Sequence, residues 1–136
     1  MYGILYTVMS NKGNILIVDD DAMLRTLYLR KFGLGGFDIR IAANGQEALD
    51  LIAQQAPDLL ILDVHMPVMD GFEVLRRVPQ DQRKFPVILL TNFADEKTKE
   101  IGKQLGADDY FVKKDMTIRS LLEMAERVMS IRKYTK

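Results

Sequence analysis

Five short apolar runs, rich in β-branched residues, recur along this chain, and what separates them restricts the fold more than any other feature. The runs are Ile15-Leu-Ile-Val18, Phe37-Asp-Ile-Arg-Ile41, Leu59-Leu-Ile-Leu62, Val87-Ile-Leu-Leu90 and Tyr110-Phe-Val112. Between them lie longer segments of helical period. A strand covered on one face alternates polar and apolar residues, whereas a strand buried on both faces does not. Four of these five runs are nearly all apolar, so they read as parallel strands with helices on each side.

The intervening segments carry helix signals. Asp21 stands nearest the start of the first helix and is read as its N-cap. Leu24, Leu27, Tyr28 and Phe32 make one stripe behind it, and Gly33 and Gly35-Gly36 end it. Asn44 with Glu47 resembles a capping pair, and Pro57 closes the segment that follows. Gly71 to about Val78 is a shorter helix, and Asp95 to about Leu105 another. Ile118, Leu121, Leu122, Ala125, Val128 and Met129 form the clearest stripe of all. Strands and helices in strict alternation specify an open, doubly wound α/β sheet. Such sheets place their site outside the carboxyl ends of the strands.

Reading those ends collects a coherent set of groups. Asp19, Asp20 and Asp21 follow the first run, Asp63 the third, Thr91-Asn92 the fourth and Lys113 the fifth. Crowded carboxylates repel one another. A hard divalent cation such as Mg²⁺ resolves that repulsion and needs only two or three protein oxygens. A carboxylate can also accept a phosphoryl group. Phosphoryl transfer is mostly positioning and charge neutralisation, and a cation, an ammonium and a hydroxyl donor are the parts it needs.

Composition closes off other chemistries. The chain has no cysteine, which removes thiol catalysis, disulfides and thiolate zinc sites. Its 19 basic and 19 acidic residues cancel, so nothing global draws it to nucleic acid or anionic lipid. Residues 113–136 hold seven basic against three acidic side chains, read as a solvated helix face with a basic tail. No apolar run approaches the ~20 residues of a membrane-spanning helix. The apolar start, residues 1–8, lacks the basic region and cleavage site of a signal peptide.

The residues at the strand ends resemble the receiver domains of bacterial response regulators, over about residues 13–133. Ile15-Leu-Ile-Val-Asp-Asp-Asp21 is similar to that family's first strand and acidic pair. Leu60-Ile-Leu-Asp-Val-His-Met-Pro-Val-Met-Asp-Gly71 is similar to its phosphoacceptor segment, the most specific match. Leu89-Leu-Thr91 and Phe111-Val-Lys113 are similar to its switch threonine and lysine. The resemblance implies a flavodoxin-like (βα)5 receiver with strand order 2-1-3-4-5. It implies Asp63 as the phosphoacceptor. Asp19, Asp20, Asp63 and the backbone carbonyl of His65 would hold Mg²⁺, with Mn²⁺ as an alternative. Lys113 and Thr91 would contact the phosphoryl group, and Tyr110 would be the switch aromatic that moves with the threonine. Pro67 and Gly71 would shape the acceptor loop. His65, Asn92 and Phe93 occupy positions that in the family tune how long the phosphoryl group survives.

Two residues depart from the family pattern. Lys114 stands where a proline usually follows the lysine, so a trans bond is expected there. Asn92 is larger than the usual small residue and would narrow access to the acceptor. The imidazole of His65 is read as an exposed loop side chain whose contribution is its carbonyl.

The function implied is a stand-alone, chemotaxis-regulator-like signalling switch in the cytoplasm rather than a turnover enzyme. It would take its phosphoryl group from a sensor histidine kinase or a phosphotransfer protein. Output would run through protein contacts on the face of the fourth helix, fifth strand and fifth helix, with no direct nucleic-acid binding and no membrane insertion. A monomer or weak homodimer is expected. The domain is placed at residues 14–133, after a leader over 1–13 and before a short basic tail, 134–136. Two alternatives stay open. One is a receiver-like interaction module that no longer needs phosphorylation. The other is a phosphatase of the haloacid-dehalogenase type, although Asp19-Asp-Asp-Ala-Met23 lacks the Gly-Thr of that class.

Overall fold

The computed structural model describes residues 11–135 apart from Ala94 and Met116, so the leader call falls mostly outside the described residues. Five strands form one sheet: β1 Asn14–Val18, β2 Asp38–Ala42, β3 Leu59–Asp63, β4 Val87–Thr91 and β5 Asp109–Val112. Their order is β2-β1-β3-β4-β5, and every pairing is parallel. The helices are α1 Ala22–Leu34, α2 Gly45–Gln54, α3 Gly71–Arg77, α4 Glu96–Gln104 and α5 Ile118–Thr135. The fold class and strand order expected from the sequence are those observed.

Side chains alternate across a strand, and here the alternation sorts the core into two layers. Ile15, Ile17, Leu59, Ile61, Ile88 and Leu90 face Tyr28 and Phe32 of α1 and Leu121, Ala125 and Val128 of α5. Leu16, Val18, Leu60, Leu62, Val87 and Leu89 face Ala48 of α2 and Val74 and Leu75 of α3. Each such side chain, fully buried, contributes roughly 1.5–3 kcal/mol. β1, β3 and β4 are therefore buried on both faces, as their unbroken apolar runs require. All four residues of β5, at the sheet's edge, are only half-buried.

Local details differ from the sequence reading in three places. Leu27, placed in the α1 stripe, turns outward; Tyr28 and Phe32 alone of that stripe are fully buried. Gly33 lies inside the last turn of α1, and the chain reverses at Gly36, whose φ of 97° favours a residue without Cβ. α5 continues to Thr135, past the domain end placed at residue 133. The caps follow the sequence closely. Asp21 accepts from the amides of Met23 and Leu24, Asn44 from Glu47 and Asp95 from Thr98. Each such cap is worth about 1 kcal/mol.

Candidate functional site

The two-layer alternation also aims the polar residues. Asp19 continues the row of Ile15 and Ile17, Asp63 that of Leu59 and Ile61, and Lys113 follows Phe111 of the same layer. Three charged groups on three different segments therefore meet at one edge of the sheet, above α1 and α5. Lys113 Nζ lies 2.9 Å from Asp19 Oδ2 and 3.0 Å from Asp63 Oδ2. Asp19 and Asp63 are 0% and 1% exposed, and the lysine side chain 12%. Lys113 reaches both carboxylates although Lys114 replaces the usual proline; among the described residues no peptide bond is cis.

Burial sets the electrostatics. Burial pushes the Asp63 carboxyl up from 3.8 to about 6, and the hydrogen bond and charge of Lys113 oppose that push. Burial alone would lower the Lys113 ammonium, but its bonds to Asp19 and Asp63 outweigh this and raise it above its ordinary 10.5. Asp63 Oδ1 also accepts the His65 backbone N–H at 3.1 Å, so both carboxylate oxygens are held.

Asp20, the neighbour of Asp19 on the opposite parity, is exposed. Asp19, Asp20 and Asp63 each offer an oxygen within 4.8 Å of the others. Three carboxylates against one ammonium leave two negative charges, which one divalent cation balances. An all-oxygen donor set with an exposed member suits a hard ion that keeps some of its water. The residues present therefore fit Mg²⁺.

Thr91 ends β4, is fully buried, and has a fully committed hydroxyl. It donates to the Phe93 carbonyl at 3.1 Å and accepts the Phe93 N–H at 3.1 Å. His65 Nε2 lies 3.3 Å from the same oxygen. The imidazole thus joins the hydroxyl's hydrogen-bond set, in a direction that the ring tautomer decides. The His65 ring also stands edge-on to Phe93, centroids 5.5 Å apart. His65 is an exposed loop residue, as expected, but its imidazole also contributes, because it ties the acceptor loop to the threonine. Asn92 and Phe93 are exposed beside it. Tyr110 is half-buried on β5, paired in register with Leu89, and carries the Lys99 ammonium 5.2 Å from its ring centre.

The acceptor loop is tight. The Gly71 N–H donates to the Val64 carbonyl at 2.9 Å. Asp70 caps α3 through the Glu73 amide, and Pro67 accepts from the Met69 amide across Val68. Val68 is fully exposed with φ of 68°, a conformation that β-branched residues rarely adopt. A methyl group at Gly71 would lie 2.5 Å from the Asp63 carbonyl oxygen and 3.0 Å from Val64 Cα. Gly71→Ala is therefore expected to lower stability by about 2 kcal/mol. Urea denaturation checks this, and an unchanged midpoint would refute the tight-loop reading.

Sequence reasoning missed Tyr28. Its hydroxyl donates to Asp19 Oδ2 at 3.0 Å from within the α1 core layer. The sequence held only part of the signal: Tyr28 is a polar-tipped member of the α1 stripe, but which member faces the Asp19 row is set by how α1 lies on the sheet. Arg25, also unassigned, donates from Nη1 to the Asp19 carbonyl at 2.8 Å and fixes the backbone there.

Comparison with known proteins agrees with this geometry. The family model described as "Response regulator receiver domain" matches residues 15–126. The Bacillus subtilis alkaline phosphatase synthesis transcriptional regulatory protein PhoP is 40% identical over 99 residues, 73% of this chain and 41% of that protein. The Streptomyces coelicolor transcriptional regulatory protein AfsQ1 is 38% identical over 120 residues, 84% of this chain and 53% of its own. The chain thus spans about half the length of the curated relatives it matches. Among solved structures, the Vibrio cholerae chemotaxis protein CheY4 superposes with TM-score 0.78 at 36% identity, covering 85% of this chain and 97% of that one. A CheY-like receiver domain protein from Methanospirillum hungatei superposes with TM-score 0.84 at 27% identity, covering 90% and 98%. Fold, strand-end residues and family match coincide over the same stretch, and the chain belongs to the response regulator receiver domains of two-component systems.

Proposed function

We propose that this domain is a phosphorylation switch that takes a phosphoryl group on Asp63 from a phosphohistidine of a sensor kinase or phosphotransfer protein. One observation supports this most: the buried Asp63 carboxylate is held between Lys113 and the His65 amide, beside two further carboxylates suited to Mg²⁺. With its pKa near 6, Asp63 is mostly ionised at neutral pH and able to attack. A carboxylate oxygen of Asp63 forms the new O–P bond as the P–N bond to the donor imidazole breaks. Lys113 neutralises charge on the incoming group. When bound, Mg²⁺ would withdraw charge from the phosphoryl oxygens, held by Asp19, Asp20, Asp63 and the carbonyl of His65.

Thr91 supplies the response. Phosphorylation adds about −1.5 to −2 charge and three strong acceptors. The Thr91 proton then leaves the Phe93 carbonyl for a phosphoryl oxygen, which breaks the short β4–α4 turn and the contact with His65. Tyr110 and the α4–β5–α5 face move with it and present the output surface. That output is protein contact, since the neutral net charge gives no electrostatic draw to nucleic acid. The transcriptional roles named for the longer relatives are theirs. The domain is a phosphoacceptor rather than a turnover enzyme, and its setting is the cytoplasm. Among the described residues, no helix is long and apolar enough to cross a membrane.

Acetyl phosphate with Mg²⁺ tests the reading by intact mass. Wild type is expected to gain one phosphoryl group and Asp63→Asn none. A gain in both, or in neither, would overturn the assignment.

A further inference from the structure

Among the described residues, Tyr28 is the one fully buried side chain of α1 whose polar atom is aimed at the site. A buried tyrosine hydroxyl needs a partner, and the partner here is a carboxylate of the acidic cluster.

The bonds to Asp19 can be counted. Oδ2 receives the Tyr28 hydroxyl at 3.0 Å and the Lys113 ammonium at 2.9 Å. Oδ1 receives the Asp21 amide at 2.9 Å. A carboxylate offers about four acceptor positions. The one left is on Oδ1, and the Arg25 bond to the Asp19 carbonyl keeps the backbone from turning it away. Asp20 is exposed and has no comparable clamp among the contacts of the described residues. Lys113 alone cannot fix the plane of Asp19, because the same ammonium is shared with Asp63.

We propose that Tyr28 is a positioning residue of the cation site: its hydroxyl holds the Asp19 carboxylate so that the free position on Oδ1 is the one offered to Mg²⁺ or its bound water. This rests on reading Asp19, Asp20 and Asp63 as that site. The opposite effect, competition between the phenol and the cation, is disfavoured by the count. Tyr28 occupies Oδ2, which Lys113 already holds, so removing it opens no oxygen the cation lacks.

Tyr28→Phe keeps the ring and its packing and removes one oxygen. Calorimetric titration with Mg²⁺ alone is expected to show affinity weakened about tenfold, the low end for lost partners of metal ligands. In acetyl phosphate reactions the half-saturating Mg²⁺ concentration rises by the same factor, while the rate at saturating Mg²⁺ is unchanged. A purely structural defect would lower that rate instead and would overturn the proposal. Equal or tighter Mg²⁺ binding by Tyr28→Phe would do so too. In an Asp19→Asn background the substitution should have no further effect on Mg²⁺ affinity; an equal effect there would show that Tyr28 does not act through Asp19. Wild type that binds no Mg²⁺ would instead defeat the cation-site reading itself.

Discussion

Asp63→Asn, stripped of metal, is expected to be more stable than wild type at pH 7.5, by up to about 3 kcal/mol. The group has a folded pKa near 6 against an ordinary 3.8, so folding disfavours its charged form. For an acid shifted upward, the stabilising contribution is complete below about pH 4 and is lost as pH rises through about 6. A shift of about two pKa units corresponds to about 3 kcal/mol. In a domain of this size that is roughly 10 °C in melting temperature. The gap should close as pH falls toward 4, where wild type is protonated and the two side chains carry the same charge. Mg²⁺ should raise the wild-type melting point at pH 7.5 and leave the asparagine variant nearly unmoved. Thermal melts from pH 4 to 8, with chelator and with Mg²⁺, check this. A variant less stable than wild type at pH 7.5 would mean that Lys113 compensates Asp63 fully, and that the site stores no repulsion for a cation to relieve.

Lys113→Met pushes the other way. The ammonium sits 2.9 and 3.0 Å from two carboxylates that are almost completely buried. Removing it strands both charges, and breaking a buried pair on one side costs about 3–5 kcal/mol. The lysine's raised pKa means that its contribution is complete below its ordinary 10.5 and fades only as pH climbs past the raised value. The loss should therefore appear in full at pH 7.5 and shrink in acid, where Asp63 takes up a proton. Phosphorylation by acetyl phosphate should slow by about a hundredfold or more even with saturating Mg²⁺, the usual effect of deleting one donor to developing negative charge. Combining Lys113→Met with Asp63→Asn should recover part of the lost stability, because one of the stranded charges is gone. If the single variant melts with wild type, the lysine is solvated in solution and the three-way contact does not hold.

The skeleton of this fold was legible because its signals are local. Unbroken apolar runs give strands buried on two sides, and Asp21, Asn44 and Asp95 cap helices by bonding to amides two or three residues on. Asp19, Asp63, Thr91 and Lys113 could be chosen because the carboxyl ends of parallel strands converge. What escaped were contacts that join distant segments. Nothing in the α1 stripe distinguishes Tyr28, which reaches a carboxylate, from Leu27, which turns to solvent. The distinction needs the angle at which α1 lies on the sheet. His65 escaped for a related reason: its partner, Thr91, is 26 residues away.

The pleat of the sheet has one more effect. Asp19, Asp63 and Lys113 belong to the layer beneath α1 and α5, whereas Thr91 continues the row of Val87 and Leu89 that packs under α2 and α3. The acidic pocket and the threonine thus sit on opposite faces of a single sheet, one residue apart in phase. Such a partition is modular. Variation around Leu89, Leu105 and Tyr110, in the threonine's layer, would retune the proposed readout while the acidic pocket stays chemically the same, and variation around Tyr28 would reset cation affinity without touching that layer. A library randomised at Leu105 and Ala107 would sample the first kind of change, and one randomised around Tyr28 the second.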